Sequence, residues 1–258
     1  MTRALQAEWT KLRTIAATGW LLLGVVVLTM ALSAVVALAV TYTSTGSGED
    51  ITKLSLAGIY VGQAIVAVFA VQSISGEYST GMIRVTLTAI PRRPTFLAAK
   101  AAVLTALIVA AGAVAVLGSV LAGRLILPNN GFTAAHGYAP VSLTHGLTLR
   151  AAAGTVLYLA LIALLSLGVG TAVRESAVAI GIVLGLLYVF PILAALVGDP
   201  QLKRHLQQIA PMTAGLAIQA TTNLRHLPIA PWAGLGVLAA WATAALLTGG
   251  LLLTVRDA

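Results

Sequence analysis

Six stretches of this chain are each long and apolar enough to cross a lipid bilayer, and that property sharply limits the folds open to it. A hydrocarbon core about 30 Å thick asks for about 20 apolar residues in a spanning helix. Runs of this kind fall near residues 17–41, 54–75, 96–121, 151–173, 177–197 and 232–255. They are continuously apolar and do not alternate with period two, which excludes a β-barrel. The first run is too long for a signal peptide, and no small-residue cleavage site follows it. The expectation is an all-α, polytopic membrane protein, a single domain over residues 1–258 with six transmembrane helices.

Charge then sets orientation. Charged residues make up 9% of the chain, against about 25% in soluble proteins. The net charge of +8 would suggest nucleic acid in a soluble protein. Here the basic residues flank apolar runs, so lipid head groups are the expected partners and nucleic acid is not. With six spans both termini share a side. That side carries Arg3, Lys11, Arg13, Arg84, Arg92, Arg93, Lys100, Arg174 and Arg256, nine residues against six on the other: Lys53, Arg124, Arg150, Lys203, Arg204 and Arg225. The nine sit in short segments close to span ends, where the positive-inside rule counts most. Both termini are therefore expected in the cytoplasm of a multi-pass plasma-membrane protein.

Two polar segments on that side carry pattern. In residues 1–16, Leu5, Trp9, Leu12 and Ala16 recur on one helical face, with Lys11 and Arg13 elsewhere on the wheel. This predicts a helix lying in the interface with Trp9 at head-group level. Residues 76–95 form a basic island between the second and third spans. Ser79 or Thr80 is the expected cap of a short helix, and Ile83, Leu87 and Ile90 stack along it. Pro91 stops that helix, Arg92 and Arg93 follow, and Pro94 suits the first turn of the next one. Lys100, about a turn into the third run, is expected to snorkel back to the interface. An apolar ridge with a basic rim is a docking element for something soluble.

The remaining segments narrow the function classes. The span interiors are nearly free of ionisable groups, which disfavours proton- or sodium-coupled transport and an ion pore. No G-x-x-x-x-G-K-[ST] occurs, so this chain cannot cradle a nucleotide by the P-loop route. His136, His145, His205 and His226 all fall in outer loops, without zinc-protease spacing or a partner serine at matching depth, so an intramembrane enzyme is not expected. The absence of cysteine excludes disulfides and thiolate metal sites. Gly58-x-x-x-Gly62 and Gly181-x-x-x-Gly185 are spaced for close helix packing, and Ser166, Gly168 and Gly170 could serve similarly. Residues 128–150 read as irregular surface. In 198–231, Asp199 caps a helix begun by Pro200, with Leu202, Leu206 and Ile209 on one face before Pro211. That segment is expected to be a pair of interfacial or re-entrant helices closing the outer end.

Taken together, Glu77, Gly81, Met82-Ile83-Arg84, Pro91-Arg92-Arg93 and Lys100 resemble the loop between the second and third helices of ABC transporter permeases of the type-2 exporter class. The opening EWTKLRT (8–14) and the stretch from Ala230 to Ala258 are similar to the same class, particularly its actinobacterial members. Met82 departs from the Thr that many relatives carry. The resemblance implies a membrane-spanning permease of an ATP-driven exporter that is not itself an enzyme. It also implies dimerisation with a second copy or sister permease. Two separate ATPase subunits would bind ATP and magnesium, leaving no cofactor in this chain. Residues 76–90, Tyr78 among them, would be the coupling element seated in the ATPase, with Glu77 at its membrane end and Arg84 on its exposed face. The cargo would be hydrophobic or amphipathic: drug, peptide, lipid or glycolipid. A membrane-embedded partner or sensor subunit without transport of its own is the alternative.

Overall fold

The computed structural model describes residues 2–14, 16–42, 48–89 and 92–255. Eleven α-helices follow one another among them: α1 (Thr2–Thr14), α2 (Ala16–Ala39), α3 (Ile51–Ser55), α4 (Ile59–Ser79), α5 (Met82–Ala89), α6 (Arg93–Ile126), α7 (Gly146–Val173), α8 (Ser176–Leu196), α9 (Pro200–Ile209), α10 (Pro211–Leu216) and α11 (Pro231–Val255). Short 3-10 turns connect some of them, and no strand occurs among the described residues. Six of the helices, α2, α4, α6, α7, α8 and α11, are long and apolar enough to span a membrane. Alternation of the spans puts α1, α5, the α7–α8 turn and the end of α11 on one side. The other side holds α3, the α6–α7 connection, α9 and α10.

Two spans outrun the bilayer. The 34 residues of α6 make a rod of about 51 Å and the 28 of α7 one of about 42 Å, at about 1.5 Å per residue. The second span begins at Ile59, later than the apolar run suggested. Asp50 caps a separate short helix first, accepting from the Lys53 amide, and the chain turns at Leu56–Gly58 before re-entering.

The fold centres on α7, whose flanks meet α4, α6 and α11. Small residues allow the closest approaches. A Cβ at Gly168 would collide with the α11 backbone at Ala245, and one at Gly249 would lie 2.6 Å from the Gly168 carbonyl. A Cβ on Gly58 or Gly62 would strike Thr29 of α2, and the Gly58 amide donates to Ser33 Oγ at 3.0 Å. Gly181 and Gly185 make no such approach within this chain: a Cβ on either meets nothing within 4 Å. They lie on the outward face of α8, a helix which, like α2, turns most of its surface away from the protein.

On the side away from α5, residues 128–150 are better packed than their composition suggested. Phe132 and Val141 are buried, and Tyr42, Phe132 and Tyr138 meet edge to face. His136 stacks on Tyr42 at 4.3 Å. Asn130 Nδ2 donates to the Ala37, Leu38 and Val40 carbonyls that terminate α2, satisfying acceptors a helix end leaves open. The two halves of 198–231 also part company. Every residue of α9 is exposed or half-buried, whereas α10 and the turn after it bury Met212, Leu216 and Ile218. Beneath α10, Tyr158 Oη donates to Gln63 Oε1, and Gln63 Nε2 donates to Met212 Sδ at 3.2 Å. That pair is buried between α4 and α7, with α10 as its cover and a second buried pair, Gln219 and Thr155, beside it.

Candidate functional site

Four charged side chains meet where α1, α4, α5 and α6 converge. Lys100, in the second turn of α6, is 1% exposed. Its Nζ donates to Glu8 Oε2 at 2.6 Å, Glu77 Oε1 at 2.7 Å and the Ser73 carbonyl at 3.1 Å, and lies 5.4 Å from the Phe96 ring centroid. Lys11 Nζ donates to Glu8 Oε1 at 3.0 Å, Glu77 Oε1 at 3.2 Å and Thr86 Oγ1 of α5 at 3.2 Å. Each lysine thus has all three of its protons engaged. Glu77 Oε1 serves both lysines, while Glu77 Oε2 is buried without a hydrogen-bond partner. Two carboxylates and two ammonium groups leave the cluster neutral, the condition under which buried charge is tolerated.

Local sequence explains how each group gets there. The buried stripe of α1 is Ala4, Glu8 and Leu12, at helical spacing. Trp9, on the expected apolar face, is 48% exposed, and Leu5 is half-buried. The helix is rotated from the purely apolar solution because pairing Glu8 with two lysines outweighs hiding one more ring. Lys100 does not snorkel to the interface as expected, for the same reason: two carboxylates reach it inside. Burial by itself would lower the Lys11 pKa, but Glu8 and Glu77 outweigh it and hold that pKa above 10.5.

The α5 element departs from expectation in its start and its facing. Ser79 and Thr80 do not cap it. Both hydroxyls donate back to the Gly76 carbonyl and finish α4, and Gly81 turns the chain at φ +71°, a conformation that glycine adopts without penalty. Glu77 and Tyr78 accordingly belong to the last turn of α4. Ile83 is 3% exposed and, with Thr86, faces the bundle, so it is not part of an outward ridge. The outward face carries Met82, Arg84, Val85 and Thr88. The Leu87 side chain, and Ile90 and Pro91 entirely, lie outside the described residues, as does Arg256. Arg13 and Arg92 are exposed.

Further bonds tie this corner to the other spans. Arg93 Nη1 donates to the Leu253 carbonyl at 2.5 Å and the Thr254 carbonyl at 3.1 Å, holding the end of α11 with a cation where the helix dipole favours one. Ser176 Oγ at the start of α8 donates to Ser75 Oγ of α4 at 2.6 Å. The Arg174 guanidinium lies 5.1 Å from the Tyr78 ring centroid. A cavity of about 550 Å³ opens beside the cluster between α1, α2 and α4, walled by Leu12, Leu21 and Phe69 as well as by the charges. Polar contacts therefore link α5 to α1, α1 to α4 and α6, α4 to α8, and α6 to α11 in this corner. The sequence did not suggest Glu8 or Thr86 as members. The one available signal was Lys100, a lone cation a turn inside an apolar helix.

A family model described as ABC-2 family transporter protein matches residues 4–192, which include the whole charge cluster and α5. No curated protein matches the chain.

Proposed function

This chain belongs to the ABC-2 family of transporter proteins, and on that premise we propose that it is the permease of an ATP-driven exporter whose motor is a separate ATPase subunit. In this reading α5 and the α1 surface beside it face the cytoplasm, as the charge bias across the spans favours. The outward face of α5, with Arg84 and Val85, seats in the ATPase. The permease pairs with a second copy or sister chain, and the cargo is hydrophobic or amphipathic because, away from the Glu77–Lys100 end, no Asp, Glu, Lys or Arg of the described spans is buried to form a path for an ion. The observation that carries the proposal is the cluster of Glu8, Lys11, Glu77 and Lys100. Through Thr86 it joins a surface helix to three others, so displacing α5 must carry Lys11 and its carboxylate partners along or break the Lys11–Thr86 hydrogen bond, a bond to a charged group worth about 1.5–3 kcal/mol. A rigid joint of that kind is what mechanical coupling needs.

The test is purification of the tagged chain from its native host in mild detergent, with co-purifying proteins identified. The proposal expects a stoichiometric P-loop ATPase, released by Val85→Asp and retained by Leu202→Asp on the far side. A chain that purifies without an ATPase under conditions that preserve other such complexes would overturn it.

A further inference from the structure

We propose that α9 is a binding site for the phosphate head groups of anionic phospholipids in the leaflet opposite α5. Such a site depends on the six spans and not on the ATPase. At about 100° per residue, Leu202, Leu206 and Ile209 share one face of α9. Lys203 falls about 100° to one side of Leu202, His205 about 60° to the other, and Arg204 behind. An apolar stripe with Lys203 beside it and Arg204 on the polar face is the arrangement of helices that meet a lipid surface.

Contacts show which part of this face the protein leaves uncovered. Leu206, Gln207 and Gln208 turn partly inward, and Gln208 Nε2 donates to the Pro228 carbonyl at 2.7 Å. Leu202 and Ile209 stay 50% and 56% exposed. The Trp241 indole donates to the Ile209 carbonyl at 3.0 Å, ten residues along α11, which sets Ile209 below the start of that span. Ile192, Leu193 and Leu196 at the end of α8, which packs against α9, are exposed as well. Ile209 thus meets acyl chains, and the cations lie back toward the surface.

Charge identifies the head group. Lys203 and Arg204 are exposed and form no salt bridge among the described residues. The nearby acid, Asp199, spends a carboxylate oxygen on the Gln201 amide at 2.8 Å. Adjacent exposed cations favour a net-anionic head group over a zwitterionic one, whose phosphate is neutralised by its own amine, by about fivefold in affinity per charge.

The chain has no cysteine, so Ile209→Cys gives a single labelling site. The full chain is labelled there with bimane and reconstituted in nanodiscs of phosphatidylcholine with increasing phosphatidylglycerol. Quenching by brominated acyl chains is then compared for the two head groups at equal mole fraction. The expected result is strong quenching with a several-fold preference for brominated phosphatidylglycerol, lost in Lys203→Gln/Arg204→Gln. Equal quenching by both lipids, or a preference unchanged in that variant, overturns the proposal. Shielding from lipid and from aqueous iodide alike overturns it in favour of a protein on this face.

Discussion

Removing one member of the buried charge cluster should cost more than removing two of opposite sign would suggest. Lys100 Nζ lies 2.6 and 2.7 Å from its carboxylates. At an effective dielectric near 20, a contact of that length is worth about 6 kcal/mol before desolvation, and experience with buried pairs puts the cost of orphaning one partner at about 3–5 kcal/mol. Lys100→Met leaves Glu8 and Glu77 both leaning on Lys11. Glu77→Gln leaves two lysines on Glu8. The double variant restores neutrality as a Glu8–Lys11 pair, which are 3.0 Å apart. Each single change should therefore destabilise by about 3–5 kcal/mol and the double by about the same, a coupling of about 3–5 kcal/mol in magnitude. Unfolding in mixed detergent–SDS micelles, followed by the fluorescence of the four tryptophans, measures all corners of the cycle. Single costs below about 1 kcal/mol, or a double equal to their sum, would refute the idea that these four groups act as one unit.

Other consequences are simpler to check. The Lys11 pKa is held above 10.5 by Glu8 and Glu77, so its contribution to stability is whole below pH 10.5 and fades as pH climbs through the raised value. Lys11→Gln should flatten that alkaline limb in a thermal melt series. Gly58→Ala drives a methyl into the Thr29 carbonyl and should cost about 1–3 kcal/mol, whereas Gly185→Ala, facing open space, should shift monomer stability by less than about 0.5 kcal/mol. Arg93→Gln should loosen the last turn of α11, with amide exchange over residues 250–255 rising about tenfold or more on loss of the charge-assisted bonds to the Leu253 and Thr254 carbonyls.

The six spans were legible because a bilayer-spanning helix announces itself by length and apolarity alone. Site detail was legible only where it depended on neighbours in sequence. Pro94 in the first turn of α6 and Asp199 capping α9 follow from local rules, and the structure places them so. The ion cluster does not follow from such rules. Lys100 meets a glutamate 92 positions away, so periodicity could suggest only that Glu8 belonged to the wet side of α1 and that Lys100 would reach for water. The two Gly-x-x-x-Gly patterns make the same point. Identical spacing permits close approach, but only Gly58 and Gly62 have a neighbour, Thr29, to approach. For α5, the alternation of apolar and polar positions gave an amphipathic helix without saying which face turns inward. Thr86, bonded to Lys11, helps draw that face toward the bundle.

The central claim is that the cluster carries motion from α5 into the spans. Spin labels at Leu38→Cys and Leu196→Cys, exposed sites near the far ends of α2 and α8, report that motion without knowledge of the cargo. With the ATPase bound, electron–electron distance measurements should show the separation changing between nucleotide-free and ATP-trapped states. The same change should vanish in Lys100→Met/Glu77→Gln, although ATP is still hydrolysed. An ATP-dependent change that survives undiminished in that variant would contradict the account.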